Sequence, residues 1–343
     1  MERPLLAITM GDPAGVGPEI TVKALCGPQL YQVCRPLVIG NTEILRRAAF
    51  TVREDGVNFR RVSAPADGLY RPGCIDVLEI ETAGAETVRP GVLSAEAGEA
   101  AFRYVEKAIE LAMNGAVDGT VTNPINKEAV NLAGHHFSGH TEIYAEYTGT
   151  KKYTMMLAHE NLRVVHVSTH VSLREACDLV RKERVLEVIK IADEACRRIG
   201  IESPKIGVAG LNPHSGENGL FGREELEEIA PAVEAAVSEG ILAEGPVPAD
   251  TVFSKARGGW YDIVVAMYHD QGHIPLKVVG FCYDAAAGRW EAVAGVNITL
   301  GLPIIRTSVD HGTAFDQAGK GTANPLSLVN AVHYAVKLAQ NRG

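Results

Sequence analysis

No stretch of the 343 residues stays apolar for the roughly 20 positions that a membrane-spanning helix needs, which argues against a transmembrane reading. The opening Met1-Glu2-Arg3-Pro4 runs into a strand-like segment without a signal-peptide pattern, so the cytoplasm is the expected compartment. Basic residues are in deficit, 33 Lys and Arg against 42 Asp and Glu for a formal net charge of −9. Nucleic-acid binding needs a basic face that displaces counterions, so that partner class is disfavoured, and an anionic small substrate would need a local basic pocket. The six cysteines, Cys26, Cys34, Cys74, Cys177, Cys196 and Cys282, contain no C-x-x-C pair. That argues against a disulfide framework and a cysteine zinc cluster, and buried thiols are expected. Internal repeats and low-complexity linkers are also missing. So are the two common phosphate-cradling fingerprints: Met10-Gly11-Asp12-Pro13-Ala14-Gly15-Val16-Gly17-Pro18-Glu19, after the first strand, has neither the G-x-G-x-x-G order nor a P-loop lysine. A structural strand-to-helix turn is the simpler reading of it.

What is present points to an α/β protein. At about one domain per 150 residues the length predicts two domains, and an apolar fraction of 46% with 22% charged residues is ordinary for buried cores. Strand and helix signals alternate along the whole chain, which predicts mainly parallel strands. Pro4 to Thr9, Pro36 to Gly40 and Val117 to Thr122 read as strands. A helix is expected from about Ala95 to Asn114, with Ser94 as N-cap and Gly115 as stop. Ser172-Leu173-Arg174-Glu175 fits a capping box, followed by helical spacing to Gly200. Residues 281–295 show neither period nor strong turn code and read as a surface excursion.

Three strand-like runs each lead to a histidine: Leu162 to His170, Ile206 to His214, and Ile263 to His269. Ligands of open α/β sheets bind beyond the carboxyl ends of the strands. One histidine alone is more simply a hydrogen-bonded loop residue, but three in equivalent positions predict a metal site. Neutral imidazoles suit zinc and similar divalent ions, and three protein ligands leave a position for a substrate oxygen. His135, His136, His159, His166 and His333 lack that placement, and His273 and His311 are intermediate.

Anion contacts are expected where polar residues follow other strands. Thr122-Asn123-Pro124-Ile125-Asn126-Lys127 and Phe137-Ser138-Gly139-His140-Thr141-Glu142 supply donors, although a lone Lys127 could equally be solvated. His269-Asp270-Gln271-Gly272-His273-Ile274-Pro275-Leu276-Lys277 joins a metal candidate to a carboxylate and an amine. Arg306, at the end of Leu302-Pro303-Ile304-Ile305, can hold an anion bidentately, and with Lys277 and Asn297 would make a basic pocket. Surface salt bridges are the plain alternative.

Gly11 to Glu19, Asn212-Pro213-His214-Ser215-Gly216-Glu217, Met267 to Gly272, Val296 to Pro303 and Asp310-His311-Gly312-Thr313-Ala314 resemble the 4-hydroxythreonine-4-phosphate dehydrogenase family over nearly the whole chain. The resemblance implies an isocitrate/isopropylmalate dehydrogenase-like fold of two α/β/α domains with a cleft between them. Residues 1–128 plus 306–343 would form the first domain, and 129–305 the second, with the dimerisation and metal-site residues. It further implies a homodimer whose metal histidines His170, His214 and His269 come from both subunits, with zinc foremost and Mg, Mn, Co or Ni as alternatives. Substrate contacts carry over to His140, Thr141, Lys277, Asn297 and Arg306. The string His311 to Gly321 is similar to an adenosine-binding loop, which assigns NAD or NADP to Gly312, Thr313, Asp316, Gly319 and Gly321.

The implied reaction is oxidation, with decarboxylation, of a 4-phosphorylated 3-hydroxy acid, with Lys277 or Asp270 moving the proton. Glu217 to Gly222 and Gln271 to Lys277 are closer to the branch that uses 4-phospho-D-threonate or 4-phospho-D-erythronate than to the 4-hydroxy-L-threonine 4-phosphate branch. The alternatives are an acyl-phosphate or CoA transferase on a related scaffold and a non-catalytic phosphosugar-binding regulator.

Overall fold

A computed structural model describes residues 2–54, 56–84, 87–286 and 289–341. In chain order the first elements are β1 (Leu5–Thr9), α1 (Gly17–Leu25), α2 (Gln29–Val33), β2 (Arg35–Gly40), α3 (Thr42–Val52), β3 (Asn58–Val62), β4 (Cys74–Glu79), α4 (Ala95–Met113), β5 (Gly119–Thr122), α5 (Lys127–Leu132) and α6 (His140–Thr148). Then come β6 (Thr154–His159), β7 (Leu162–His166), α7 (Leu173–Leu179), α8 (Lys182–Arg198), β8 (Ile206–Ala209), α9 (Ala230–Ser238), β9 (Ala243–Val247), α10 (Ala249–Arg257), β10 (Ile263–Ala266) and α11 (His269–Gly280). The last are β11 (Phe281–Asp284), β12 (Arg289–Val293), β13 (Val296–Leu300), β14 (Arg306–Val309) and α12 (Leu326–Gln340). Among the described residues no helix is long and apolar enough to cross a membrane.

The chain divides into two compact units, Met1–Lys151 with Glu291–Val296 and Leu302–Arg342, and Lys152–Trp290 with Asn297–Gly301. In the first unit the strand order is β3-β4-β2-β1-β5-β14. The pairs along it run parallel. The chain steps from β1 to β2 on one side and pairs β5 on the other, which makes the carboxyl ends of β1 and β5 a topological switch point. β1, β2 and β5 are buried along nearly their whole length, as strands covered by helices on both faces must be. Ser94 caps α4 by accepting the Ala97 amide at 3.1 Å, and Asn126 caps α5 through Ala129 at 3.0 Å.

In the second unit the order is β13-β6-β7-β10-β8-β9, so the strands leading to His170, His269 and His214 lie side by side. β7, β10, β8 and β9 are parallel, while β6 is antiparallel to β7. Leu157, Leu162, Val164, Phe253, Val264 and Leu276 fill its core.

The first unit runs on through Lys151, and within it α4 packs directly on α5. The segment read as a surface excursion instead forms two paired strands, β11 and β12. The helical run after Ser172 breaks into α7 and α8 at Val180 and Arg181, where the backbone is extended. Only Cys34 and Cys196 are buried; Cys26, Cys74 and Cys177 are partly so, and Cys282 is exposed.

Candidate active site

In the first unit the expected cofactor loop, residues 311–321, has a seat that the glycine-rich turn after β1 builds. Thr313 O accepts the Val16 amide at 3.0 Å, and Glu19 Oε1 accepts the Gly319 amide at 2.6 Å. Lys23 Nζ donates to Gly321 O and Ala323 O, both at 2.7 Å. Gly321 has φ 67, and a Cβ there would lie 2.7 Å from Thr51 O, so both space and backbone call for glycine. Gly312, by contrast, faces open space, and Asp316 lies on the same loop. Beside the loop a cavity of about 490 Å³ is lined by Pro13, Gly15, Glu19, Arg46, Arg47 and Gly319. Its size suits a small-molecule ligand.

At the carboxyl end of β5 two of the predicted anion residues, Arg306 and His140, come together. Arg306 opens β14, is 3% exposed, and donates from Nη2 to Thr122 Oγ1 at 2.9 Å. Its guanidinium lies 5.7 Å from the Tyr144 ring, whose hydroxyl donates to Thr120 Oγ1 at 3.0 Å. Burial lowers the Arg306 pKa to about 10, so it remains a cation at neutral pH. His140 begins α6, with Thr141 next to it. Burial, then the positive Arg306 and Lys127, hold His140 well below its usual range and therefore uncharged. Its Nε2 is buried without a hydrogen-bond partner among the described residues. Tyr144 had a legible signal, one helical turn after His140.

Asp12, within the glycine-rich turn, is wholly buried. Its Oδ1 accepts the Ala14 amide at 2.8 Å, while Oδ2 has no partner among the described residues. Burial raises its carboxyl to about 6, against the Ala14 and Asn126 amides.

In the second unit His170 and His269 come together, their ring centroids 5.9 Å apart. Two imidazoles bound to one tetrahedral cation at about 2.0–2.1 Å from nitrogen would have centroids roughly 5 Å apart, so the pair stands slightly wider than a shared divalent ion would hold it. His269 Nδ1 lies 2.7 Å from Asp270 Oδ1, an arrangement that leaves Nε2 for a metal. His214 does not join them: among the described residues no three His, Cys, Asp or Glu side chains converge in a way that could hold a metal ion. It lies instead in the turn Pro213–Gly219, with its ring 6.4 Å from Phe221. There His214, Ser215, Glu217 and Asn218 all have positive φ, at 52, 53, 43 and 54.

Glu225, at the start of the π turn Glu225–Ile229, braces that segment. Its Oε1 accepts the amides of Leu211 and Asn212, each at 2.7 Å, and Oε2 accepts Asn212 Nδ2 at 2.9 Å. No spacing rule singles out Glu225 in advance. Lys277, on α11, places its Nζ 4.4 Å from the Phe281 ring centroid, and Asn297 Nδ2 lies 2.7 Å from Met155 Sδ. Behind His269 stand His273 and the fully buried His166. Burial, with positive neighbours second, lowers them to about 4 and about 3.

Comparison with known proteins places this geometry. D-threonate 4-phosphate dehydrogenase of Salmonella typhimurium is 48% identical over 340 residues, 99% of this chain and 100% of that protein. The crystal structure of 4-hydroxythreonine-4-phosphate dehydrogenase from Klebsiella pneumoniae superposes with a TM-score of 0.86 at 44% identity, covering 98% of each chain. A terephthalate 1,2-cis-dihydrodiol dehydrogenase from Burkholderia xenovorans gives 0.66 at 30% identity, again over 98% of each. These relatives define an α/β dehydrogenase, an oxidoreductase. The family model described as pyridoxal phosphate biosynthetic protein PdxA matches residues 32–335, and the chain belongs to that family.

Proposed function

We propose that the enzyme oxidises the C3 hydroxyl of a 4-phosphorylated hydroxy acid, 4-phospho-D-threonate or 4-phospho-D-erythronate ahead of 4-hydroxy-L-threonine 4-phosphate, and that the β-keto acid formed loses CO2. The carrying observation is the pocket at the end of β5, where buried cationic Arg306 adjoins uncharged His140 with its unsatisfied Nε2. A guanidinium matches the oxygens of a phosphate bidentately, and burial strengthens each contact. Thr141 adds a hydroxyl beside it. The name of the Salmonella typhimurium relative supports placing the D-threonate phosphate first, while that of the Klebsiella pneumoniae enzyme supports 4-hydroxythreonine 4-phosphate.

NAD or NADP takes the electrons, seated on Gly312, Thr313, Asp316, Gly319 and Gly321; the neighbouring cavity supports that seat. A divalent cation, zinc foremost and Mg, Mn, Co or Ni otherwise, suits His170 and His269. When bound it would polarise the substrate hydroxyl and stabilise charge that develops on oxygen. His214 of a second copy would complete the donors in a homodimer, and the exposed Ile274 and Val278 on α11 offer an apolar face for such a contact. Asp270 orients His269 through Nδ1 rather than moving the reaction proton, which leaves the hydroxyl proton to Lys277. Asn297 is a further candidate for a substrate contact, as the family resemblance implies. A soluble enzyme of this kind works in the cytoplasm.

The test is reduction of NAD and NADP at 340 nm with the three candidate substrates and added divalent metal. Turnover led by either D-acid phosphate supports the reading, and silence with all three overturns it. Mixing inactive His214→Ala and His269→Ala subunits should restore part of the activity, because a hybrid dimer would hold one intact shared site. No restoration at any ratio would refute the sharing.

A further inference from the structure

The identification of His269 as a metal ligand, on which this inference rests, leaves open what holds its ring. Three imidazoles form a ladder in the second unit. His269 lies face to face on His273, with centroids 3.6 Å apart and planes 12° from parallel. His273 in turn is 4.7 Å from His166, which is wholly buried. Each Nδ1 meets an acceptor: Asp270 Oδ1 for His269 at 2.7 Å, His269 O for His273 at 2.9 Å, and Met155 O for His166 at 3.3 Å. Carbonyl and carboxylate oxygens only accept, so the network assigns the hydrogen to Nδ1 in every ring.

The carboxylate on His269 is a weak anchor by itself, because the Asp270 side chain is 69% exposed and water competes for it. A hydrogen bond at Nδ1 also leaves the ring free to swing about that contact. His273 removes this freedom. Its ring covers one face of His269, and its Nδ1–H is tied to the carbonyl of the same residue, so ring and backbone of His269 are held together. His273 is itself backed by the core: a Cβ at Gly272 would lie 2.3 Å from His166 Nε2 and 2.7 Å from Val164 Cγ1, so α11 sits on β7 as closely as glycine permits.

We propose that His273 is a positioning residue that holds the His269 imidazole in the orientation needed to bind a divalent cation, with His166 as its support. Stacking requires an aromatic ring at 273, and the Nδ1–H adds a second tie that a phenyl ring lacks.

The experiment measures Zn²⁺ affinity of the whole metal-free protein by competition with a chromophoric chelator, and the visible spectrum of its Co²⁺ form. His273→Leu should weaken Zn²⁺ binding roughly 10- to 100-fold, the range for loss of an outer-sphere partner, and alter the Co²⁺ bands. His273→Phe, which keeps the stacking face, should recover most of that loss. Should His273→Leu not fold, His273→Asn keeps a donor without the ring and should still weaken binding by roughly 5-fold or more. A merely structural role would lower the melting temperature without moving the Co²⁺ spectrum. Wild-type affinity and spectrum in His273→Leu, or in His273→Asn where that variant is the one used, overturn the proposal when His269→Ala has lost the metal. If His269→Ala retains wild-type affinity, the metal assignment itself fails, and this proposal with it.

Discussion

Glu225 is the sharpest place to test how the second unit presents His214. Its carboxylate is 2% exposed and receives two backbone amides and one side-chain amide from Leu211 and Asn212. The four residues with left-handed backbone that follow, His214, Ser215, Glu217 and Asn218, each carry strain of roughly 1–2 kcal/mol. The turn therefore depends on fixed neighbours, and Gly216 is pressed onto Glu225, where a Cβ would meet Oε2 at 2.7 Å. Glu225→Ala strands three donors at about 1–3 kcal/mol each, and partial access of water brings the expected loss to about 3–6 kcal/mol. Glu225→Gln keeps the two Oε1 bonds and turns an amide NH2 against Asn212 Nδ2, so about 1–2 kcal/mol should go. Urea unfolding gives both values, and proteolysis at residues 211–222 shows whether the turn opens locally. A loss under about 1 kcal/mol for Glu225→Ala, or equal losses for both variants, would refute the account of the brace.

Three further expectations concern the first unit. Arg306→Ala should raise KM about 100-fold for phosphorylated substrates, the equivalent of two charge-assisted hydrogen bonds, and change it little for unphosphorylated analogues; equal effects on both would show that Arg306 does not read the phosphate. Burial raises Asp12 from 3.8 to about 6, so the folded chain holds that proton more tightly than the unfolded one. The stability this gives is full below about pH 4 and lost as pH rises through about 6. Asp12→Asn should thus exceed the wild type by up to about 3 kcal/mol at pH 8 in urea unfolding, with the gap closing below about pH 4; a gap that persists in acid contradicts the burial argument. At Gly98 a Cβ would fall 2.0 Å from Ala129 O, so the helix gain of about 1 kcal/mol from Gly98→Ala is outweighed by forcing α4 off α5. The urea midpoint should fall, and a rise would show that the two helices yield.

Much of this architecture was legible because it depends on short-range pattern. Alternating strands and helices gave parallel sheets, and Ser94 and Ser172 capped helices where a side-chain oxygen precedes an apolar period. The runs ending near His170, His214 and His269 became neighbouring strands, because buried β-rich segments seek partners of their own kind. What sequence patterns missed was set by tertiary contact. Nothing in Asn212-Pro213-His214-Ser215 forecasts a left-handed turn, since its support comes from Glu225 further along the chain. Ile304 and Ile305, just ahead of Arg306, are buried as loop residues, and the ladder with β5 begins at Arg306 itself. The gathering of Arg306, Thr122 and Tyr144 follows from pairing between strands more than 180 positions apart, which no local window contains.

The clasp on loop 311–321 joins the two extremes of the chain: Glu19 holds Gly319 and Lys23 holds Gly321, separations of 300 and 298 residues. On the ribosome, β1 and α1 emerge well ahead of the loop they shape and of the strand β14 that pairs with β5, which arrive only after the whole second unit has been made. The first unit must therefore wait as an incomplete sheet, with β5 lacking its β14 neighbour, through most of synthesis. A second unit that folds early shortens the effective loop that this closure has to span. Nascent chains stalled before residue 306 should consequently be the form most dependent on chaperones, and the emergence of β14 and loop 311–321 the event that ends that dependence.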